Sequence, residues 1–204
     1  MTRILGIDCS SSCIGYSVLE IDDITNNIKF VSAAYIKPIK TGNIIERIAD
    51  TRTKIQSIIN NIKPDYIGIE EIIQFMSGKS TAKTIIMLTT FNRMIGLLVY
   101  DYLQKAPEMF NVMSIRHGLK INKDFPKKEE MPALVCHHLG ITFPYEYDKK
   151  GKIKVESFDK ADGIAVALYY AFVLTGKIIR KVPKIKKPKV KKKNPKAKKP
   201  NVKS

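Results

Sequence analysis

Five acidic residues, in three separate segments of the chain, have the types and spacing of a metal-binding catalytic site. They are Asp8, Glu70, Glu71, Asp159 and Asp162. Asp8 directly follows an apolar run at residues 4–7, where a carboxylate costs several kcal/mol to desolvate unless cations or hydrogen bonds compensate it. Asp159 and Asp162 stand three residues apart and therefore share one face of a helix. Asp8 alone is equally consistent with a turn cap and with a site.

The elements around Asp8 are predicted to be strands. Residues 4–7 are apolar without alternation, which indicates a strand buried on both faces. Residues 15–19 return after a short turn and form a hairpin with Asp8 at its mouth. Residues 28–36 predict a third strand, so the chain begins as an antiparallel meander.

The next two elements bring a second acid to the same edge. Residues 43–62 carry apolar side chains at the helical period, and Pro64 closes that helix. Residues 65–71 then form another buried strand that ends in Glu70 and Glu71. A helix between two buried strands makes a parallel crossover, so Asp8 and one of these glutamates should meet at one sheet edge.

The rest of the chain predicts three helices and one weak strand. A long helix covers residues 81–105, a weak strand residues 111–115, and a further helix residues 126–139. The last helix, residues 157–172, is apolar enough to pack on the sheet and carries the two aspartates in its first turns. The predicted fold class is α/β: a mixed five-stranded sheet, part antiparallel meander and part parallel, with helices on both faces.

This arrangement places four carboxylates at one edge, those of Asp8, Glu70, Asp159 and Asp162. So many like charges repel one another unless cations neutralise them, and ligands that are all oxygen select hard ions such as Mg²⁺ or Mn²⁺. Two such ions about 3.5–4 Å apart can activate a water and stabilise the leaving oxygen of a phosphodiester. The sequence therefore predicts a metal-dependent nuclease with two Mg²⁺ ions, for which Mn²⁺ can substitute.

The net charge of +17 is concentrated at the C-terminal end. Fourteen of the 36 basic residues, and none of the 19 acidic residues, follow Gly176. Prolines recur among these lysines and oppose helix formation. We therefore predict a nuclease domain at residues 1–176 and a disordered tail at residues 177–204. The tail, including Lys191, Lys192 and Lys193, is predicted to bind nucleic-acid phosphates; a solubilising or targeting tail is the alternative.

Several other classes of protein are disfavoured by composition. Cys9, Cys13 and Cys136 are an odd number without zinc-site spacing, which indicates reduced thiols in a cytosolic protein. No basic-then-apolar signal peptide opens the sequence, and the apolar stretch at residues 85–100 is short and interrupted by Asn92 and Arg93. We therefore expect neither secretion nor a membrane span.

Three of these segments, in this order, resemble the motifs of RuvC-type Holliday junction resolvases, which belong to the ribonuclease H-like superfamily. The first is Ile-Leu-Gly-Ile-Asp at residues 4–8 with Gly-Tyr at 15–16, and the second is Pro-Asp-Tyr-Ile-Gly-Ile-Glu at 64–70. The third is the run at residues 159–167 with its two aspartates. The resemblance covers residues 3–175 and suits a divergent form such as bacteriophages carry.

The resemblance implies a role for individual residues. Asp8, Glu70, Asp159 and Asp162 would bind the metal pair, with Glu71 the alternative to Glu70. Lys128 matches a lysine that contacts DNA near the site, and Lys120 a second one. Phe75 stands where the family places an aromatic residue that inserts at the junction centre. The loop after Glu70 is longer than usual, and Cys9-Ser10 replaces a usual Pro-Gly pair.

The resemblance also implies an activity, a partner and a location. The activity would be Mg²⁺-dependent resolution of four-way DNA junctions by a homodimer, in recombination, repair or the processing of branched replicating DNA. The location would be the cytoplasm of a bacterium or of a phage-infected host, or a nuclear or viral-factory site for a eukaryotic or viral source. A ribonuclease H-like or ribosomal-RNA-processing nuclease, a non-catalytic branched-DNA-binding protein and an actin-like nucleotide binder are the alternatives.

Overall fold

The sheet at the centre of the molecule has the mixed topology that the sequence predicts. The structure, a computed structural model, describes residues 1–72 and 81–179. Within these ranges five strands form one sheet in the order β3-β2-β1-β4-β5, with β1–β2 and β2–β3 antiparallel and β1–β4 and β4–β5 parallel. The strands are β1 (Thr2–Asp8), β2 (Ile14–Ile21), β3 (Ile28–Ile36), β4 (Tyr66–Glu71) and β5 (Glu108–Asn111).

Helices cover both faces of this sheet. They are α1 (Ile44–Ile62), α2 (Ala82–Leu103), α3 (Val112–Leu119), α4 (Met131–Leu139) and α5 (Glu156–Leu174). One apolar core lies between the sheet and α5, with α3 and α4 packed around it. The other core lies between the sheet and the α1–α2 pair. The predicted fold class is thus confirmed.

The side chains of β1 point alternately to the two faces of the sheet, and this alternation decides to which face Asp8, its last residue, points. Leu5 and Ile7 belong to the core under α1 and α2, whereas Ile4 belongs to the core under α5. Successive side chains of a strand point to opposite faces, so Asp8 shares the α5 face with Ile4. The sheet therefore presents the Asp8 carboxylate to the helix that carries the other two aspartates.

Glycines let α5 lie against the sheet backbone. A Cβ at Gly6 would stand 2.4 Å from the nitrogen of Ala167, and one at Gly163 would stand 2.8 Å from the nitrogen of Tyr16. Ser17 Oγ also donates a hydrogen bond to the carbonyl of Gly163, at 3.1 Å. This close approach fixes the start of α5 beside the ends of β1 and β2.

Two predicted elements are wrong in detail. The weak strand predicted at residues 111–115 is instead β5, Glu108–Asn111, followed at once by α3. The reason is Asn111, whose side chain accepts a hydrogen bond from the Met113 amide and caps the helix at its N-terminus. The helix predicted at residues 126–139 begins later, because a 3-10 turn at Lys128–Glu130 precedes α4.

Helix α2 is long, and only one side of it is buried. Phe91, Ile95 and Val99 are fully buried against the sheet, while Ile86, Leu97 and Tyr100 are at least half exposed. Among the described residues α2 is the one helix whose length and composition would suit a membrane span, a test that core helices also pass. Its buried side identifies it as a covering helix of the sheet.

Some predictions fall on residues outside the described ranges. These are residues 180–204 of the tail predicted at 177–204, with Lys191, Lys192 and Lys193, and the placement of Phe75 in the loop after β4. They stay predictions from the sequence. The first tail residues are described, and the Ile178 amide donates a hydrogen bond to the Phe172 carbonyl at 3.0 Å.

Candidate metal centre

Three of the four predicted ligands converge at the carboxyl end of β1. Asp8, Asp159 and Asp162 each offer an oxygen, and these oxygens all lie within 4.8 Å of one another. Asp159 lies in the first turn of α5. The trio therefore combines the end of a strand with the start of a helix.

Glu70 borders the same pocket from the neighbouring strand. The pairing of Ile7 with Ile69 places Asp8 and Glu70 next to each other at the ends of β1 and β4. Ile69 points into the core under α1 and α2, so Glu70 points to the α5 face and Glu71 to the other. Glu70 lies outside the trio but lines, as Glu71 does, a pocket of about 270 Å³ that all three aspartates share. The strand register favours Glu70 over the exposed Glu71 as the fourth ligand.

Burial and mutual repulsion perturb these carboxyl groups. Burial, and then the charges of Glu70 and Asp162, hold the pKa of Asp8 well above its usual range. Burial and the charge of Asp162 raise the pKa of Glu70 to about 7, against the opposing effect of Arg116 and Lys128. Burial also raises the pKa of Asp162. A site that destabilises its own negative charges in this way is suited to a bound cation.

Lys128 supplies one positive charge to the pocket. Its Nζ lies 3.3 Å from Asp159 Oδ1 and 3.2 Å from Asp162 Oδ2. Burial disfavours the ammonium form, but the charges of Asp162 and Asp159 outweigh that effect and raise the pKa of Lys128. Lys128 is therefore a cation held beside the carboxylates of Asp159 and Asp162.

Arg116 is the second cation of the pocket, and the sequence argument gave it no role. It projects from α3 into the lining formed by Asp8, Glu70 and Asp162. Its Nε is the one buried side-chain nitrogen or oxygen in the described part of the chain that lacks a hydrogen-bond partner. The signal was present, because Val112, Ile115 and Leu119 follow helical spacing and Arg116 lies on that same face. Because a strand was predicted at residues 111–115, the helical position of Arg116 was not recognised from the sequence.

The two cysteines near the pocket are not nucleophiles. Cys9 and Cys13 are buried free thiols. Burial first, and then the negative charges of Asp8 and Glu70, raise the pKa of Cys9. Burial and a hydrogen bond with Asp159 do the same for Cys13. Both thiols stay protonated at neutral pH, so the pocket contains no thiolate that could replace metal chemistry.

Of the other predicted DNA contacts, Lys120 lies within the described ranges and the rest lie outside them. Lys120 follows α3 at its C-terminal end and is absent from the pocket lining within the described ranges. The positions of Phe75, Lys191, Lys192 and Lys193 lie outside those ranges.

Sequence comparison finds relatives of one kind. The family model described as "Crossover junction endodeoxyribonuclease RuvC" matches residues 4–116, which is more than half of the chain. A protein of that description from Acidobacterium capsulatum is 29% identical over 86 residues, covering 40% of this chain and 50% of the relative. One from Helicobacter hepaticus is 24% identical over 185 residues and covers 91% of each chain. The chain thus spans about half the length of the first relative and most of the second.

A solved structure with the same architecture is RuvC from Thermus thermophilus in complex with a Holliday junction substrate. It superposes with a TM-score of 0.64 over 86% of this chain and 96% of that one, at 15% sequence identity. At this identity the likeness shows the fold.

Proposed function

Because the chain belongs to the family of the crossover junction endodeoxyribonuclease RuvC, we propose that it is a divalent-metal-dependent endonuclease that resolves four-way DNA junctions. The observation that carries the proposal is the carboxylate trio of Asp8, Asp159 and Asp162, with Glu70 on the adjoining strand end. The processes we propose are recombination, repair or the processing of branched replicating DNA, in the cytoplasm of a bacterium or a phage-infected host.

The residues of the pocket fit a hard divalent cation. Every acidic ligand is a carboxylate, and oxygen ligands of this kind select Mg²⁺ and Mn²⁺. Asp8, Asp159 and Asp162 would hold one ion, and Glu70 together with Asp8 a second. When bound, the ions would activate a water and stabilise the leaving oxygen of the scissile phosphodiester.

Lys128 and Arg116, the two cations that line the pocket among the described residues, have a separate task. Lys128 Nζ and the guanidinium of Arg116 both border the space between the carboxylates. Each can bind a non-bridging oxygen of the DNA phosphate, and Arg116 has an unused buried donor for this purpose. Together they orient the phosphate and offset the charge that accumulates as the bond breaks.

Contacts farther from the pocket would give junction preference and affinity. We propose that Phe75, in the loop after Glu70, stacks at the open centre of the junction, where the cost of unstacking bases is lowest. Lys120 and the tail lysines Lys191, Lys192 and Lys193 would bind phosphates without reading sequence. The tail at residues 177–204 then acts as a tether for the domain at residues 1–176.

The exposed side of α2 supports a homodimer. Ile86, Leu97 and Tyr100 are exposed and lie on one line of the helix together with Thr90 and Arg93. Their spacing alternates between four and three residues, which is the pattern of a helix that packs along another helix. A second copy joined through α2 would bring two active sites to one junction, so that two strands can be cut.

The decisive experiment compares three substrates of the same sequence. The purified protein is incubated with Mg²⁺ and a labelled four-way junction, a linear duplex or an RNA–DNA hybrid. We expect paired nicks in the junction and little cutting of the duplex. Preferential cutting of the hybrid would instead indicate a ribonuclease H-like enzyme, and binding without cutting a non-catalytic junction-binding protein.

Variants of the acidic residues test the metal centre in the same assay. Asp8→Asn and Glu70→Gln remove a charged ligand at nearly constant size, so junction cleavage should fall by orders of magnitude while junction binding survives. Glu71→Gln is the matched control and should cut normally. Near-normal Mg²⁺-dependent cleavage by Asp8→Asn would refute the metal assignment.

A further inference from the structure

Residues 146–154, here called the basic hairpin, form a hydrogen-bonded turn just before α5. Tyr147 pairs with Ile153 in an antiparallel bridge, and the Lys154 amide donates to the Glu146 carbonyl at 2.8 Å. At the tip, the Asp148 carboxylate accepts hydrogen bonds from the backbone amides of Lys150 and Lys152. Gly151 takes a φ of 74°, which a residue with a side chain rarely adopts. The turn is therefore built to hold one shape.

The base of the basic hairpin is tied to the body of the protein. Glu146 binds the ammonium of Lys160 at 2.9 Å and the hydroxyl of Tyr35 at 3.2 Å. Lys160 is almost fully buried, and it also donates to the Pro144 carbonyl at 2.8 Å. Ser157 Oγ accepts a hydrogen bond from the Glu146 amide. These contacts join the hairpin to β3 and to the first turn of α5.

The tip of the basic hairpin carries positive charge that the fold does not use. Lys149, Lys150 and Lys152 are exposed, and none of them has an acidic partner among the described residues. The two acids of the hairpin are both engaged: Glu146 by Lys154 and Lys160, and Asp148 by backbone amides. Three lysines thus project together on a stiff support, a pattern suited to a polyanion.

The basic hairpin stands at the same sheet edge as the carboxylates. Because β3 pairs antiparallel with β2, its last residue lies at the edge where β1 ends in Asp8. Lys37, one residue beyond β3, forms an ion pair with Glu156, the first residue of α5. The hairpin therefore flanks the site on the β3 side, whereas Arg116 and α3 flank it on the β5 side.

We propose that the basic hairpin is a second DNA-binding element, which binds the phosphate backbone of the arm that leaves the active site past β3. This inference rests on the proposed action on DNA. About five residues separate the tip from α5, so the tip lies at most roughly 15–20 Å from the start of that helix, which carries Asp159. At about 3.4 Å per nucleotide, Lys149, Lys150 and Lys152 would contact phosphates about four to six nucleotides from the cleaved bond.

The test uses the full-length chain with Lys149, Lys150 and Lys152 all changed to Gln. The matched control changes Lys29, Lys63 and Lys105 to Gln; these lysines are also exposed but lie at the opposite sheet edge, near the starts of β3, β4 and β5. Binding to a labelled four-way junction is measured by anisotropy in EDTA over a series of salt concentrations. Thermal melting verifies that both variants fold.

We expect the hairpin variant to bind the junction about 10- to 100-fold more weakly at 0.1 M salt. Its plot of log K against log salt should be shallower by about 2 to 3, since each lost phosphate contact removes about 0.9 from the slope. The control should change the slope by less than about one. Replacing the DNA phosphates about four to six nucleotides from the cleaved bond with neutral methylphosphonates should weaken the binding of wild type. The same replacement should leave the binding of the hairpin variant nearly unchanged.

The outcomes separate this inference from the proposed function. A hairpin variant with wild-type affinity and slope, beside a wild type that cuts junctions, overturns the inference and leaves the function intact. A wild type that cuts no junction, but whose DNA binding still weakens in the hairpin variant, overturns the function and supports the hairpin as a DNA contact. A wild type that binds no DNA overturns both.

Discussion

Gly15, the second residue of β2, lies directly against the backbone carbonyl of Asp159 in the first turn of α5. A Cβ built on Gly15 would stand 1.8 Å from that carbonyl oxygen, far inside any real contact. The neighbouring atoms belong to backbone, so no flexible side chain can give way. The absence of one methyl group at Gly15 thus sets how closely the carboxylate of Asp159 approaches Asp8.

Gly15→Ala should therefore displace the start of α5 and impair the site. We expect Mg²⁺-dependent junction cleavage to fall at least tenfold and the free energy of unfolding to fall by about 1–3 kcal/mol, the usual cost of overpacking. Cleavage kinetics and urea denaturation measure the two effects. Gly96→Ala, in α2, is the control because a Cβ there would meet its nearest neighbours at 3.5 Å and 3.7 Å. Equal activity of both variants would mean that α5 can shift without cost.

The ends of β1 and β4 could be predicted from the sequence because several signals agree there. An unbroken apolar run, a terminal acid and a helical crossover all indicate a parallel pair with its carboxylates at one edge. The choice between Glu70 and Glu71 needed more, since it depends on which face of β4 each side chain takes. The structure decides this face: Ile7 and Ile69 pair in register and both point into the core under α1 and α2, so Glu70 points to the opposite face of the sheet.

The β5–α3 region shows why the rest could not be predicted. Residues 111–115 have the composition of a short strand, but Asn111 caps a helix instead and the strand ends where the prediction began it. That change of element brings Arg116 into the pocket. The position of the basic hairpin could not be predicted either, because it depends on the long-range contacts of Glu146 with Tyr35 and Lys160.

Arg116 should be needed for cleavage more than for junction affinity. Arg116→Gln removes a charge and a planar pair of donors from the pocket, and we expect kcat to fall by roughly 100-fold, as when one preorganised donor is lost. Arg116→Lys keeps the charge but loses the planar pair of donors, so its kcat should lie between those of wild type and Arg116→Gln. Single-turnover cleavage and binding in EDTA separate the steps. Arg52→Gln, at an exposed position of α1, is the control; equal rates for the Arg116 and Arg52 variants would contradict the role of Arg116.

The exposed line of α2 should hold two copies together. Leu97→Glu places a charge in the middle of that line, so the protein should change from about 46 kDa, twice its chain mass of 23.1 kDa, to the mass of a monomer. Sedimentation equilibrium measures this change. Ile24→Glu is the control, since Ile24 is 93% exposed in the turn between β2 and β3. A wild type that is itself monomeric, or a Leu97→Glu variant that remains dimeric, would remove α2 from the interface.

Without metal, the buried carboxyl groups should make the protein less stable as the pH rises. Burial raises the pKa of Glu70 from 4.5 to about 7, so the folded state holds this proton more tightly than the unfolded state. The stabilisation is fully present below pH 4.5 and is lost as the pH rises through about 7. At 1.36 kcal/mol per pKa unit, the loss from Glu70 is on the order of 3 kcal/mol.

Glu70→Gln isolates this effect because it keeps the size of the side chain and cannot ionise. In EDTA, the variant should gain stability relative to wild type between pH 4.5 and pH 7, and the difference should level off above that range. Urea denaturation at closely spaced pH values measures it, with Glu71→Gln as the control that follows wild type. Mg²⁺ should stabilise wild type most at the alkaline end, where the carboxylates are ionised and can bind it. A difference between Glu70→Gln and wild type that stays constant from pH 4.5 to pH 8 would show that Glu70 does not titrate in this window.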